Sequence, residues 1–82
     1  MGTGGESFHP NLRAMTHSLT TNQYGYPVRW DFTPKADGKR VNVRHSRWYA
    51  STGWVCVADH FMSVRHAREA YAARLADGLT AA

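Results

Sequence analysis

Cys56 and His60 are the first residues to test for chemistry, because a thiolate beside an imidazole makes a nucleophile and its base. On one unbroken strand residues four apart share a face, so the two side chains would stand together. Asp59 would then point to the opposite face, which leaves the imidazole without an orienting group, and 82 residues leave little room for a cleft. The five histidines with this one cysteine also raise a zinc site, with His66 as a third ligand one turn into a helix. Cys-x-x-x-His is not a finger spacing, and no second cysteine follows. Gly2, Gly4 and Gly5 do not lead into a strand–helix unit, so they do not form a phosphate loop. Paired carboxylates are absent. The expectation is a non-enzymatic chain without metal or cofactor.

Charge carries more information. The formal net charge is +4, from ten Lys and Arg against six Asp and Glu. Arg13 cancels Glu6 in residues 1–28, and Arg65, Arg68 and Arg74 cancel Asp59, Glu69 and Asp77 in residues 48–82. The whole excess falls in residues 29–47, where Arg29, Lys35, Lys39, Arg40, Arg44 and Arg47 face only Asp31 and Asp37. Localised positive charge is the footprint of an acidic partner.

The elements that must position these residues follow from the hydrophobic pattern. Tyr26, Val28, Trp30 and Phe32 alternate with Pro27, Arg29 and Asp31, which predicts a half-buried strand over 26–32. Pro34 and Gly38 mark a turn. A second strand is predicted over 39–49, with Val41, Val43 and His45 on one face and Arg40, Asn42 and Arg44 on the other. After Ser51-Thr-Gly53 a third strand is predicted over 54–61, with Val55 and Val57 opposite Trp54, Cys56 and Ala58. Ser63 is the N-cap of a helix running to about Asp77, with Val64, Ala67, Tyr71 and Leu75 buried and Arg65, Arg68, Glu69 and Arg74 toward water. Gly78 suits a left-handed helix end, with Leu79 folding back on the last turn. Leu12, Met15 and Leu19 suggest a short helix over 10–19, begun by Pro10. The predicted fold class is therefore α+β: a three-stranded antiparallel meander packed on one C-terminal helix over 26–79, preceded by an extension over 1–25.

With the helix on the Val28/Trp30/Phe32, Val41/Val43 and Val55/Val57 face, parity gathers Arg29, Arg40, Asn42, Arg44 and Trp54 on the other, provided no bulge slips the register. Lys39, Arg47 and Trp48 complete the candidate binding set. Guanidinium forks match phosphate oxygens and guanine edges, and indoles stack on bases, so the leading expectation is a small nucleic-acid-binding module, probing duplex DNA with its outer sheet face. The alternative is a non-enzymatic phage or mobile-element interaction protein that inhibits a host machine, as anti-CRISPR proteins do. It would dock on an acidic protein or nucleoprotein surface with Trp48, Tyr49 and Trp54 as anchors. A third reading is a homodimer joined through the edge of strand one or strand three. The longest apolar run, residues 54–58, is too short to span a membrane, no secretory signal pattern opens the chain, and one unpaired cysteine fits a reducing compartment. A cytoplasmic protein is expected.

The helix and its entry, Phe61-Met-Ser63-Val-Arg-His-Ala67-Arg-Glu-Ala70-Tyr71, resemble the AP2-type DNA-binding domain and the related arm-binding domains of phage integrases. Tyr26-Pro-Val28-Arg29-Trp30-Asp31 looks like that family's first strand, and Gly53-Trp54 is similar to its Gly-x-Trp strand, although Pro27 stands where the family favours glycine. The resemblance covers residues 26–78 at most. It implies a three-stranded sheet with one helix, and DNA read from the sheet by Arg29, Arg44 and Trp54.

Overall fold

The computed structural model describes residues 11–21 and 27–82. The chain is α+β, with one antiparallel sheet and one helix. The elements are β1 (His17–Thr21), β2 (Val28–Pro34), β3 (Arg40–Tyr49), β4 (Gly53–Ser63), α1 (Val64–Ala76) and β5 (Thr80–Ala81). The strand order is β4-β3-β2-β1-β5, so the sheet has five strands and not the three expected.

The two additional strands lie where sequence periodicity was weakest. The expected helix over 10–19 is a single turn, in which the amides of Ala14 and Met15 both donate to the Asn11 carbonyl at 3.3 and 3.2 Å. The next five residues form β1 and pair with β2 from His17↔Phe32 to Thr21↔Val28. Ser, Thr and His are poor helix formers, whereas the run His17-Ser-Leu-Thr-Thr21 also alternates with period two around Leu19. Leu19 is fully buried while Met15 is 59% exposed, so Leu12, Met15 and Leu19 do not share one buried helix face. Pro10 and Tyr26 fall outside the described residues.

The helix begins and ends as its sequence dictates. The Ser63 hydroxyl accepts from the His66 amide at 3.1 Å. At the other end Gly78, with φ of 98°, closes the last turn. Its amide donates to Leu75 and the Leu79 amide to Arg74, which satisfies two carbonyls left over by the helix. Leu79 is thereby buried, and the chain continues into β5, where Thr80 pairs with Thr20.

Directly opposite residues in an antiparallel pair share a face. One face of the sheet carries Leu19, Phe32, Val41 and Val43, which with Leu12, Val64, Ala67 and Leu79 form the core. α1 starts over β3 and β4, then reaches β2 and β1 through Tyr71, whose ring meets Phe32 edge-on at 5.3 Å and His17 at 6.0 Å. The buried stripe is rotated from the expected one. Leu75 is 43% exposed, and Arg74, expected toward water, lies over the Trp30 indole at 4.8 Å.

A register shift decides what β4 contributes. His45 pairs with Ala58 but Ser46 pairs with Cys56, so Val57 is an extra residue in a β-bulge. Residues 58–63 therefore have the opposite parity from the one expected. His60 and Met62 share the face of Val41 and Val43, while Asp59 and Phe61 turn outward. Val55 and Val57, expected in the core, are 37% and 47% exposed.

Candidate interaction surface

The helix covers one face of the sheet, and no other element among the described residues packs on the opposite face. Register aligns its side chains in rows across the strands. Ser18, Asp31, Arg44 and Asp59 stand opposite one another on four successive strands. Thr20, Arg29, Ser46 and Cys56 form the next row, and Thr33, Asn42 and Phe61 a row on the other side. Trp48 and Trp54 close the far end. The expected set Arg29, Arg40, Asn42, Arg44 and Trp54 is thus on one face by register, and Trp48 joins it. Arg40 lies at the start of β3, tied to Asp37 in the adjoining turn, with Lys39 beside it. Arg47 has the opposite parity and stands between Val28 and Val55 on the helix side.

The electrostatics of this face differ from a simple basic patch. Arg29 Nε donates to Asp31 Oδ1 at 2.9 Å, and the Ser18 hydroxyl donates to the same oxygen at 2.5 Å. Arg44 donates from Nε and Nη2 to Asp59 Oδ2, the latter at 3.2 Å, and the Asn42 amide donates to Asp59 Oδ1. The Asn42 hydrogen bond and the Arg44 guanidinium hold the Asp59 carboxyl below its usual range. The Lys39 and Arg40 amides, together with the Arg40 guanidinium, do the same for Asp37.

All five described side-chain carboxylates are in ion pairs with arginine: Asp31, Asp37 and Asp59 here, Glu69 on the helix and Asp77 at its C-cap. Among the described residues, the cations outside any ion pair are Arg13, Lys35, Lys39, Arg47 and Arg68. The centre of the outer face is charge-balanced, and the unpaired cations lie in the turn before β1, in the β2–β3 connection, on the helix side of β3 and on α1. Asp31 was visible as a partner in the sequence, since it alternates in phase with Arg29. Asp59 was not, because only the bulge turns it outward.

The end of the β3–β4 hairpin is apolar and open. Trp48 and Trp54 pack edge-to-face with centroids 5.6 Å apart. Both remain about 45% exposed, as does Tyr49, and Val55 and Val57 are exposed beside them. Gly53, with φ of 77°, makes the turn, and a Cβ there would sit 3.4 Å from the Trp48 ring. The Trp48 amide donates to the Pro27 carbonyl, anchoring the base of this end to β2.

Phe61, also exposed, was missed as a surface residue because the unbulged parity hid it. The Lys35 ammonium crosses to sit 4.4 Å from the centre of its ring.

The bulge also separates the two residues with which chemistry was first sought. Cys56 faces outward opposite Ser46, and His60 faces the helix side opposite Val43. The Cys56 thiol instead approaches the Ala58 carbonyl at 3.4 Å. No helix among the described residues is long and apolar enough to cross a membrane. Comparison of the chain with protein-family models, curated proteins and solved structures finds no match, so a function has to be argued from the surface itself.

Proposed function

We propose that the protein is a non-enzymatic binding module whose partner is another protein, engaged through the exposed end of the β3–β4 hairpin. The observation that carries this reading is the pair Trp48 and Trp54, packed edge-to-face and nearly half exposed at the end of the β3–β4 hairpin, with Tyr49 exposed beside them. Large rigid aromatics supply contact area at low entropic cost and dominate protein interfaces, and two packed indoles left open to water at one hairpin end offer such an anchor. Arg47 stands unpaired beside Val55 and supplies a cation at the rim, which suits an acidic partner surface.

The nucleic-acid reading draws its support from the outer face, where Arg29, Arg44 and Trp54 are held on adjoining strands. It is the weaker of the two because Asp31 and Asp59 cancel those arginines in place. One experiment separates them. The tagged chain is used to capture partners from nuclease-treated lysate, with Trp48→Ala/Trp54→Ala as control, and in parallel is mixed with duplex DNA at about 50 mM salt in a mobility-shift assay. A stoichiometric protein lost with the double tryptophan variant is the expected result. A salt-dependent DNA shift abolished by Arg29→Ala/Arg44→Ala, with no tryptophan-dependent protein captured, overturns it in favour of nucleic acid.

A further inference from the structure

The two edges of the sheet are built differently. β5 is two residues long, and a short strand of that kind offers little template for pairing. β4 is eleven residues long and, among the described residues, pairs only with β3. It contains no proline and no lysine, the residues with which natural edge strands usually block further pairing. Its single carboxylate, Asp59, is already engaged by Arg44 and Asn42. The bulge at Val57 interrupts the strand, and it leaves a six-residue run over 58–63 in unbroken register with β3 beyond it.

Unpaired cations flank this edge. The Lys35 ammonium reaches across from the β2–β3 connection to the Phe61 ring, and so stands over the outermost strand without a carboxylate partner. Lys39 precedes Arg40, which pairs with Ser63 at the end of β4, and Arg47 is paired with Val55 near its start. An added strand would meet Phe61 with the Lys35 ammonium over its ring, and Asp59 already held by Arg44 and Asn42.

A second copy of the chain would bring the same cations toward one another. We propose that the free edge of β4 receives an extended segment of the partner protein as an added strand, with apolar residues beside Phe61 and carboxylates facing Lys35 and Lys39. Backbone hydrogen bonds would supply the affinity, and the alternating side chains the choice of sequence. This rests on the protein-binding reading above and names the part of the partner that is bound.

The test is selection of a random twelve-residue peptide display library against the full chain. Enriched peptides are expected to alternate apolar with acidic residues. Their affinity should fall at least tenfold when alternate backbone amides are N-methylated, and at least tenfold in Lys35→Glu, while Arg68→Ala, on the exposed side of α1, leaves it nearly unchanged. N-methylation alters only the peptide, so folding of the protein does not enter that result. The proposal is overturned if no peptide is enriched, if enriched peptides lack acidic residues, or if N-methylated peptides bind equally well. It is also overturned if sedimentation shows a dimer at micromolar concentration that Phe61→Lys dissolves, which would assign the edge to self-association. Peptides whose binding depends on Trp48 and Trp54 but not on Lys35 or N-methylation would sink the edge proposal and leave the protein-binding reading standing.

Discussion

The Arg74 guanidinium lies 4.8 Å from the centre of the Trp30 indole, on the helix-covered face of the sheet. Its Nη2 is held by Asp77 at 2.9 Å, while its Nε is buried and makes no hydrogen bond among the described residues. The side chain therefore acts more as a packing element than as a solvated charge, its stem and planar head covering the tryptophan. Arg74→Ala should destabilise the fold by about 1–2 kcal/mol. Arg74→Met should recover most of that loss, because the unsatisfied Nε disappears with the charge. Leu75→Ala, one residue on and exposed, should stay within about 0.5 kcal/mol of the parent. Urea midpoints followed by tryptophan fluorescence rank the three, and a larger loss at Leu75 than at Arg74 would restore the stripe expected from periodicity.

Trp30 belongs to a second contact, stacked on His45 at 4.4 Å with the rings 11° apart. Burial, together with the nearby positive charges of Arg47 and Arg74, pushes the His45 imidazole below its ordinary value of 6.5. The neutral form is thus favoured in the folded chain, and the unfolded chain binds more protons near pH 6. Stability is fully present above pH 6.5 and declines as pH falls through the lowered value. The stability–pH curve should show this arm, and His45→Phe should flatten it. Asp37 and Asp59 are lowered from 3.8 and add a separate loss in stronger acid, which His45→Phe leaves in place. An unchanged slope between pH 7 and 5 in the variant would remove His45 from the account.

What β4 contributes to the two faces comes down to one inserted residue. The alternation of Val28, Trp30 and Phe32, and of Val41 and Val43, located β2, β3 and their buried face, and Ser63 and Gly78 located both helix ends. These signals are local. Val57 carries no local mark of being a bulge, since whether β4 holds one depends on how 53–63 lies against β3. That register inverted the outlook for Asp59, His60 and Phe61, and with it the charge of the outer face. β1 and β5 were illegible for a related reason: their few residues gain strand structure only by pairing with β2 and with each other, and Leu12, Met15 and Leu19 mimic a helical spacing. Arg29, Asn42, Arg44 and Trp54 were brought together as parity required, because three of the four lie on strands before the bulge and Trp54 lies on its near side.

The same inversion has an energetic consequence. Val43 is 2% exposed and touches the core beneath the helix, whereas Val57 is 47% exposed. Val43→Ala should cost about 2 kcal/mol or somewhat more through lost burial and the cavity left behind. Val57→Ala should change stability by less than about 0.5 kcal/mol. Equal losses at the two sites, measured by equilibrium denaturation, would mean that β4 packs without the bulge.

Gly38 and Gly53 both hold positive φ, at 69° and 77°, in the two hairpin turns, and they differ in what surrounds them. Nothing lies within 4 Å of a Cβ built at Gly38, while one at Gly53 meets the Trp48 ring at 3.4 Å. Each substitution by alanine should cost about 1 kcal/mol for the left-handed backbone alone. Gly53→Ala should in addition press on Trp48 and shift its ring against Trp54, since their edge-to-face contact is set by this turn. Near-UV circular dichroism should therefore change in Gly53→Ala and not in Gly38→Ala, at similar stability losses. Binding to a partner should follow the same division, weakened in Gly53→Ala and retained in Gly38→Ala, if the two tryptophans form the contact. Identical spectra for the two variants would show that the turn does not position the indoles, and the hairpin end would then lack the preformed geometry that the binding reading requires.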